Sequence, residues 1–170
     1  MNKTLITLSG PTASSKTSIA IRIAKVLGAE IFSCDSRQFY KEMTIGTAVP
    51  TAAERKEVPH HFIQHKSIHT PYSVGQFETD AIDRLIDYFK HNDIAILVGG
   101  SGLYMRSVVH GIDQFPAVPE EIRSSLGKRL QTNGLKDLQK ELQTLDPKHF
   151  IKMDIKNPSR VLRALGVCLA

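Results

Sequence analysis

A short apolar run at residues 4–8 stops at Gly10, and a helical pattern begins near Lys16. That junction constrains the fold more than any other stretch of the chain. Between the two, Gly10-Pro11-Thr12-Ala13-Ser14-Ser15-Lys16-Thr17 follows the phosphate-loop pattern G-x-x-x-x-G-K-[ST], except that Ser15 occupies the second glycine. In such a loop, turned backbone N–H groups surround an anionic oxygen, the lysine adds a point charge, and the Ser/Thr hydroxyl reaches Mg²⁺. Strand, loop and helix in that order predict a βα unit that binds a di- or triphosphate. An ordinary βα turn with a solvated lysine has the same outline.

The remainder of the chain repeats the alternation and then abandons it. Ile19, Ile23 and Leu27, with Ala20 and Ala24, predict one stripe of a helix that Gly28 terminates. Residues 30–33 read as a second strand. After a long irregular stretch, Phe77, Ala81, Leu85, Ile86 and Phe89 recur at helical spacing. The unbroken run Ile94-Ala95-Ile96-Leu97-Val98 predicts a strand covered on both faces. Gly99-Gly100-Ser101-Gly102 then turns into a helix over 103–109. Beyond Pro116 and Pro119 only helices are predicted, over 120–132, 135–145, 147–153 and 158–169. The expectation is an α/β fold, a P-loop NTPase-like parallel sheet flanked by helices, with an appended helical lobe.

Composition bears on where such a fold works and on what it meets. With 41% hydrophobic and 23% charged residues among 170, the chain can bury a core and is not disordered. No run of 18 apolar residues occurs, and the N-terminus leads straight into a strand, so no membrane span or signal peptide is expected and the compartment is the cytoplasm. Cys34 and Cys168 form no C-x-x-C and read as reduced core thiols. Charge is divided unevenly: residues 1–119 carry 12 Lys and Arg against 11 Asp and Glu, while residues 120–170 carry 10 against 6. A basic C-terminal third suits a polyanionic partner, and solvated helix faces also look like this.

Open α/β sheets bind ligands at the carboxyl ends of their strands, so three places come first. Residues 10–17 are one. Asp35-Ser36-Arg37-Gln38 follows the second strand, where Asp35 can serve as a general base, as an outer-shell partner of Mg²⁺, or as an Asx turn. Gly99-Gly100-Ser101-Gly102 allows close backbone approach, and Ser101 can cap the next helix or meet a phosphate. His60, His61, His65 and His69 invite a metal reading. Pro59 and Pro71 bracket them, however, and Phe62-Ile63 look extended, so helical ligand spacing is not expected and buried or loop histidines are.

Taken in order, the motifs resemble one family. Residues 10–17, Asp35-Ser36-Arg37-Gln38-Phe39-Tyr40, Ile45-Gly46-Thr47-Ala48, Pro59-His60-His61, Tyr72-Ser73-Val74, residues 97–104 and Asn157-Pro158-Ser159-Arg160-Val161-Leu162-Arg163-Ala164-Leu165 are similar to the tRNA dimethylallyltransferases. The resemblance implies transfer of a dimethylallyl group from dimethylallyl diphosphate to N6 of the adenosine next to the anticodon, position 37, in tRNA. It implies that Gly10, Pro11, Thr12, Ala13, Ser14, Ser15, Lys16 and Thr17 hold the diphosphate, with Thr17 directed at Mg²⁺. Asp35 would take the proton from the N6 amine, Lys16 would neutralise the leaving pyrophosphate, and Ser101, which aligns with a family threonine, would position diphosphate or adenine. Asp35, Ser36, Arg37, Gln38 and Ser101 would line the pocket for the extruded base. Arg123 and the segment Ser159, Arg160, Val161, Leu162 and Arg163 match family positions that meet tRNA. The domain plan implied is a P-loop core over 1–115, a helical tRNA-binding insertion over 116–157, and the start of a return to the core over 158–170.

Two departures qualify the resemblance. Ser15 adds a Cβ where the family has glycine, with strain of about 1–3 kcal/mol if the position needs an unusual φ. Family members also run well past residue 170, and Gly166 stands where they have Glu, so the expectation is a truncated member with an incomplete lobe. A monomer is expected. A P-loop small-molecule kinase or nucleotide-binding enzyme and a non-catalytic tRNA-binding remnant are the alternatives.

Overall fold

A computed structural model describes residues 2–11, 14–113 and 115–170, so Thr12 and Ala13 of the phosphate loop lie outside the described residues. The chain divides into two compact units, Met1–Ile112 and Asp113–Ala170.

The first unit is built on four strands, β1 (Thr4–Ser9), β2 (Glu30–Ser33), β3 (His60–His61) and β4 (Ile94–Gly99). They are all parallel, in the order β1-β4-β2-β3. The apolar run at 94–98 is continuous because β4 is central: it pairs with β1 from Thr4↔Ile94 to Ser9↔Gly99 and with β2 from Glu30↔Ala95 to Ser33↔Val98. One face buries Ile31, Ile96 and Val98 with Ala20, Ile21 and Ala24 of α1 (Lys16–Leu27). The other buries Phe32, Ala95 and Leu97 with Phe77, Ala81 and Leu85 of α3 (Val74–Tyr88) and Val108 of α4 (Gly102–His110).

Local signals account for the helix ends. Gly28 closes α1 in the left-handed region at φ 61°, its N–H bonded to the Ala24 carbonyl. Ser73 and Gln76 form a reciprocal capping box at the start of α3. Inside the stretch that reads as irregular lie a further helix, α2 (Ala52–Glu57), started by a Thr51–Glu54 capping box, and the two-residue β3. Phe62 is not extended. Its φ is 62°, and the chain turns there because β3 ends one residue earlier.

The stripe expected on α1 also differs. The sheet covers Ala20, Ile21 and Ala24, while Ile19, Val26 and Leu27 stay exposed. Small Ala20 and Ala24 let the helix settle close to the strands, and that brings the adjacent Ile21 inward in place of Ile19 and Leu27.

The second unit is helical: α5 (Glu120–Asn133), α6 (Leu135–Leu145), α7 (Pro147–Lys152) and α8 (Pro158–Leu169). Leu126, Leu138, Leu142, Val161 and Leu165 form its core. Arg129 ties α5 to α6 through Asp137 at 2.8 Å and Glu141 at 2.7 Å. Cys168, expected in a core, is exposed near the end of α8, whereas Cys34 is buried. No helix is long and apolar enough to cross a membrane among the described residues.

Candidate active site

Because β1, β4 and β2 are adjacent, the loops leaving their carboxyl ends are adjacent too. The three segments singled out in the sequence therefore open side by side.

In the phosphate loop, Ser15 lies at φ 55° and ψ 21°, the left-handed conformation that the pattern reserves for glycine. For a residue with a Cβ that conformation costs roughly 1–2 kcal/mol. The Ser15 side chain makes no capping bond, but its carbonyl accepts from Ile19 N at 3.1 Å and from Ser18 Oγ at 2.9 Å, which fastens the loop to α1. Ser14 Oγ donates to the Pro11 carbonyl at 2.8 Å. The Lys16 ammonium also donates to the Pro11 carbonyl, so it lies over the loop and not out in solvent.

The loop after β2 is locked by hydrogen bonds. Asp35 Oδ1 accepts from Arg37 N at 3.1 Å, the Asx turn weighed from the sequence, and the second carboxylate oxygen is left for other work. Ser101 does not cap α4 with its side chain. Its Oγ accepts from Ser36 N at 3.1 Å and meets Ser36 Oγ at the same distance, stitching the loop after β4 to the loop after β2.

Gly99 explains why those loops can lie so close. A Cβ there would stand 2.6 Å from Cys34 Sγ, 2.8 Å from Cys34 C and 2.9 Å from Asp35 N. Its glycine character serves the approach of β4 to the backbone of Asp35. Burial, and then the neighbouring Asp35 charge, push the Cys34 thiol up to about 12, so it remains an inert neutral thiol under the site.

Two pockets of 270 Å³ each flank Asp35. One is lined by Ser14, Ser15, Lys16 and Thr17, with Gln38, Ala48, Val98 and Gly99 behind them. The other is lined by Ser36, Arg37, Gly46, Thr47, Gly100 and Ser101. Asp35 lines both. A larger open groove of 690 Å³ beside α4 includes Thr7, Met105, Arg106 and His110, but no carboxylate and no phosphate-loop residue.

The turn over Gly46, Thr47 and Ala48, which lines both pockets beside Asp35, was given no site role from the sequence. Gln38 is buried beneath it, accepting from Ser33 Oγ at 2.9 Å and donating to the Ala48 carbonyl at 2.8 Å and the Thr47 carbonyl at 3.3 Å. The signal available was the Ile45-Gly46-Thr47-Ala48 motif following a glutamine in the Asp35 segment.

The histidines lie apart from these pockets. His60 Nδ1 meets the Val58 carbonyl at 2.8 Å, and His61 Nε2 meets Glu30 Oε2 at 2.5 Å. His65 sits edge-on to Phe39, Phe62 and Tyr72, with both ring nitrogens buried and unbonded among the described residues.

In the helical unit, Arg123 is exposed on α5, and Ser159, Arg160 and Arg163 are exposed on α8. Val161 is fully buried and Leu162 packs against the same core, so their side chains face inward. Asn157 Oδ1 caps α8 by accepting from Ser159 N and Arg160 N, and Arg160 lies 3.6 Å from Asp154.

Comparison with known proteins places the chain in one family. The sequence model of the family described as IPP transferase matches residues 38–170. A tRNA dimethylallyltransferase of Christiangramia forsetii is 49% identical over 99% of this chain and 56% of its own. The full-length tRNA isopentenylpyrophosphate transferase of Bacillus halodurans superposes with a TM-score of 0.64 at 35% identity, over 98% of this chain and 55% of that one. A eukaryotic dimethylallyltransferase acting on tRNA shares the fold, with a TM-score of 0.80 at 24% identity over 96% of this chain and 40% of that one. The chain spans about half the length of the curated relatives it matches.

Proposed function

The chain belongs to the IPP transferase family, and we propose from that premise that it carries the reaction centre of a tRNA dimethylallyltransferase. The observation that carries the reading is Asp35, the wall common to a pocket with a phosphate loop and a pocket with serine hydroxyls and an arginine. Dimethylallyl diphosphate takes the first, with its pyrophosphate on the loop amides and Lys16. The adenosine next to the anticodon takes the second, extruded from its loop because a base undergoing chemistry must leave the stack.

The transfer is then a displacement across Asp35. The N6 nitrogen attacks the allylic C1, the C1–O bond breaks, and pyrophosphate departs with the bonding pair. The N6 proton passes to the Asp35 carboxylate. Lys16 and the loop N–H groups offset the charge that gathers on the leaving oxygen. Ser101 and Ser36 fix the Asp35 turn, and Ser101 keeps a hydroxyl at the base pocket.

Thr17 and Asp35 line the same pocket, and a hydroxyl with a carboxylate there is a hard-oxygen set that suits Mg²⁺, which Thr17 would help to hold. When bound, the ion supplies further charge neutralisation on the diphosphate. Gly10, Pro11, Thr12, Ala13, Ser14 and Ser15 complete the diphosphate seat. Arg123, Arg160 and Arg163 offer cations to the tRNA backbone, with residues 116–157 as the tRNA-facing insertion on a core of 1–115. A cytoplasmic monomer is the form this reading assumes.

Single-turnover transfer to an anticodon stem-loop, run beside the full-length Bacillus halodurans relative, tests the reading. Asp35→Asn keeps the shape and removes proton acceptance, so transfer should slow by about 100-fold or more while diphosphate affinity is retained. Transfer at the unsubstituted rate by Asp35→Asn removes Asp35 from the chemistry. ATP binding more tightly than dimethylallyl diphosphate favours a phosphotransferase instead.

A further inference from the structure

Ile45 is 98% exposed, the most solvent-exposed of the large apolar side chains among the described residues. Single exposed apolar residues are ordinary. What sets Ile45 apart is how much of the structure is spent on holding it there. The chain on either side is tied down by three polar side chains. Thr47 Oγ1 donates toward the Met43 and Thr44 carbonyls at 2.8 and 3.0 Å. Gln38 holds the Thr47 and Ala48 carbonyls from below, and Gln64 Nε2 reaches Thr44 Oγ1 at 3.1 Å.

Backbone strain is accepted at the same place. Ala48, which has a Cβ, lies at φ 50°, while the neighbouring Gly46 reaches φ 75° without strain. A tip fixed by that many bonds does not fold its isoleucine back onto the protein. Met43, on the same turn, is also partly exposed.

The position of the tip is as telling as its rigidity. Gly46 and Thr47 line the pocket assigned to the base, and Ala48 lines the pocket assigned to the diphosphate. Exposed Arg37 stands in the same base pocket, and exposed Lys41 lies at the foot of the turn. A rigid apolar tip flanked by cations, at the mouth of a pocket sized for a base, matches the chemistry of a nucleic-acid strand: anionic along its backbone and apolar on its base faces.

The geometry points to Ile45 as the wedge that occupies the gap left in the RNA loop when the acceptor adenosine swings into the base pocket, with Arg37 and Lys41 on the flanking phosphates. Apolar wedges between base steps offset the cost of unstacking. This inference rests on the assignment of the Ser101 pocket to the adenosine.

The test uses the 170-residue chain and an anticodon stem-loop carrying 2-aminopurine at the acceptor position. That analogue brightens when unstacked and lacks the N6 amine, so no turnover intervenes. The unsubstituted chain should raise the fluorescence at saturation. Ile45→Ala should lower that rise by about threefold or more, and Ile45→Leu should keep most of it. Because Ile45 touches solvent, pyrophosphate affinity reports that the fold is intact in each variant. An undiminished rise with Ile45→Ala overturns the wedge and leaves the pocket assignment standing. No rise with the unsubstituted chain overturns the pocket assignment, and the wedge with it.

Discussion

The two units of this chain are built to opposite standards. Among the described residues, every non-glycine residue with positive φ, namely Ser15, Ala48, Phe62 and Gln64, belongs to the first unit. So does every buried polar side chain: Ser33, Gln38, Thr47 and Ser107. The second unit has an aliphatic core of Leu126, Leu138, Leu142, Val161 and Leu165, and its positive φ falls on Gly134. Strain of about 1–3 kcal/mol per residue persists only where surrounding contacts over-determine it. Ser15 and Ala48 line the pockets themselves, and Gln64 hydrogen-bonds to the turn that forms their wall. The first unit spends stability on geometry, while the second keeps its stability as packing.

The largest expected effect breaks the second unit. Leu138→Ala empties a fully buried position and should destabilise the helical unit by about 2–5 kcal/mol. Pyrophosphate affinity, read by calorimetry, should not move, because no phosphate-loop contact depends on that core. A parallel fall in affinity would show that the units are not separable.

The next effect sharpens the contrast inside the first unit. Ser15→Gly removes a Cβ from a left-handed position, so binding of dimethylallyl diphosphate or pyrophosphate with Mg²⁺ should tighten by about three- to thirtyfold, roughly 0.7–2 kcal/mol. Thermal stability should change little, since relief of strain is offset by the unfolded-state entropy of glycine. Equal or weaker binding would mean that the Ser15 hydroxyl itself meets the ligand.

How far a reader of the sequence could anticipate these features depends on the range of the interaction involved. The β1, β2 and β4 strands, α1, and α3 to α8 announce themselves through local periodicity and turn residues, and all three site loops follow from strand ends. The Thr51–Glu54 capping box of α2 was present as T-x-x-E, yet it stood in a stretch with no apolar stripe to extend it. The two-residue β3 exists only because β2 offers an edge, which no local pattern encodes. Likewise the latch from Gln38 to Thr47 and Ala48, and the Ser36–Ser101 stitch, join residues 9 to 65 positions apart. Cys168 was misplaced because a cysteine near a helix end looks the same whether it faces the core or water.

Two smaller effects complete the contrast. Arg160→Ala or Arg163→Ala should flatten the salt dependence of anticodon-loop binding by about one unit in log–log slope and spare diphosphate binding. An unchanged slope would leave both as helix-surface residues, with Arg160 serving Asp154. The smallest concerns His65, which burial, aided by Lys66 and Lys41 and opposed by Asp80, pulls down to about 4. The ring is neutral when folded and titrates near 6.5 when unfolded. Its contribution is therefore complete above about pH 6.5 and is lost as the pH falls toward 4. His65→Phe, which suits the aromatic surroundings, should flatten that acid limb by roughly 2 °C in Tm, discounted because the ring is not fully buried. An unaltered limb would assign the acid sensitivity to other groups, His60 first among them.

The sheet order also sets a timetable. Thr4 of β1 pairs with Ile94 of β4, so the strand that is made first waits for a partner 90 residues behind it. At translation speeds of about 5–20 residues per second, that wait is roughly 5–18 s, during which an uncharged strand stands without a sheet. Pairings so distant in sequence form slowly, because the loop must close before any contact rewards it. The phosphate loop hangs from the end of β1, so the strand that anchors it is paired only when β4 arrives. A nascent chain halted before residue 94 should thus display the whole phosphate-loop sequence and bind no pyrophosphate.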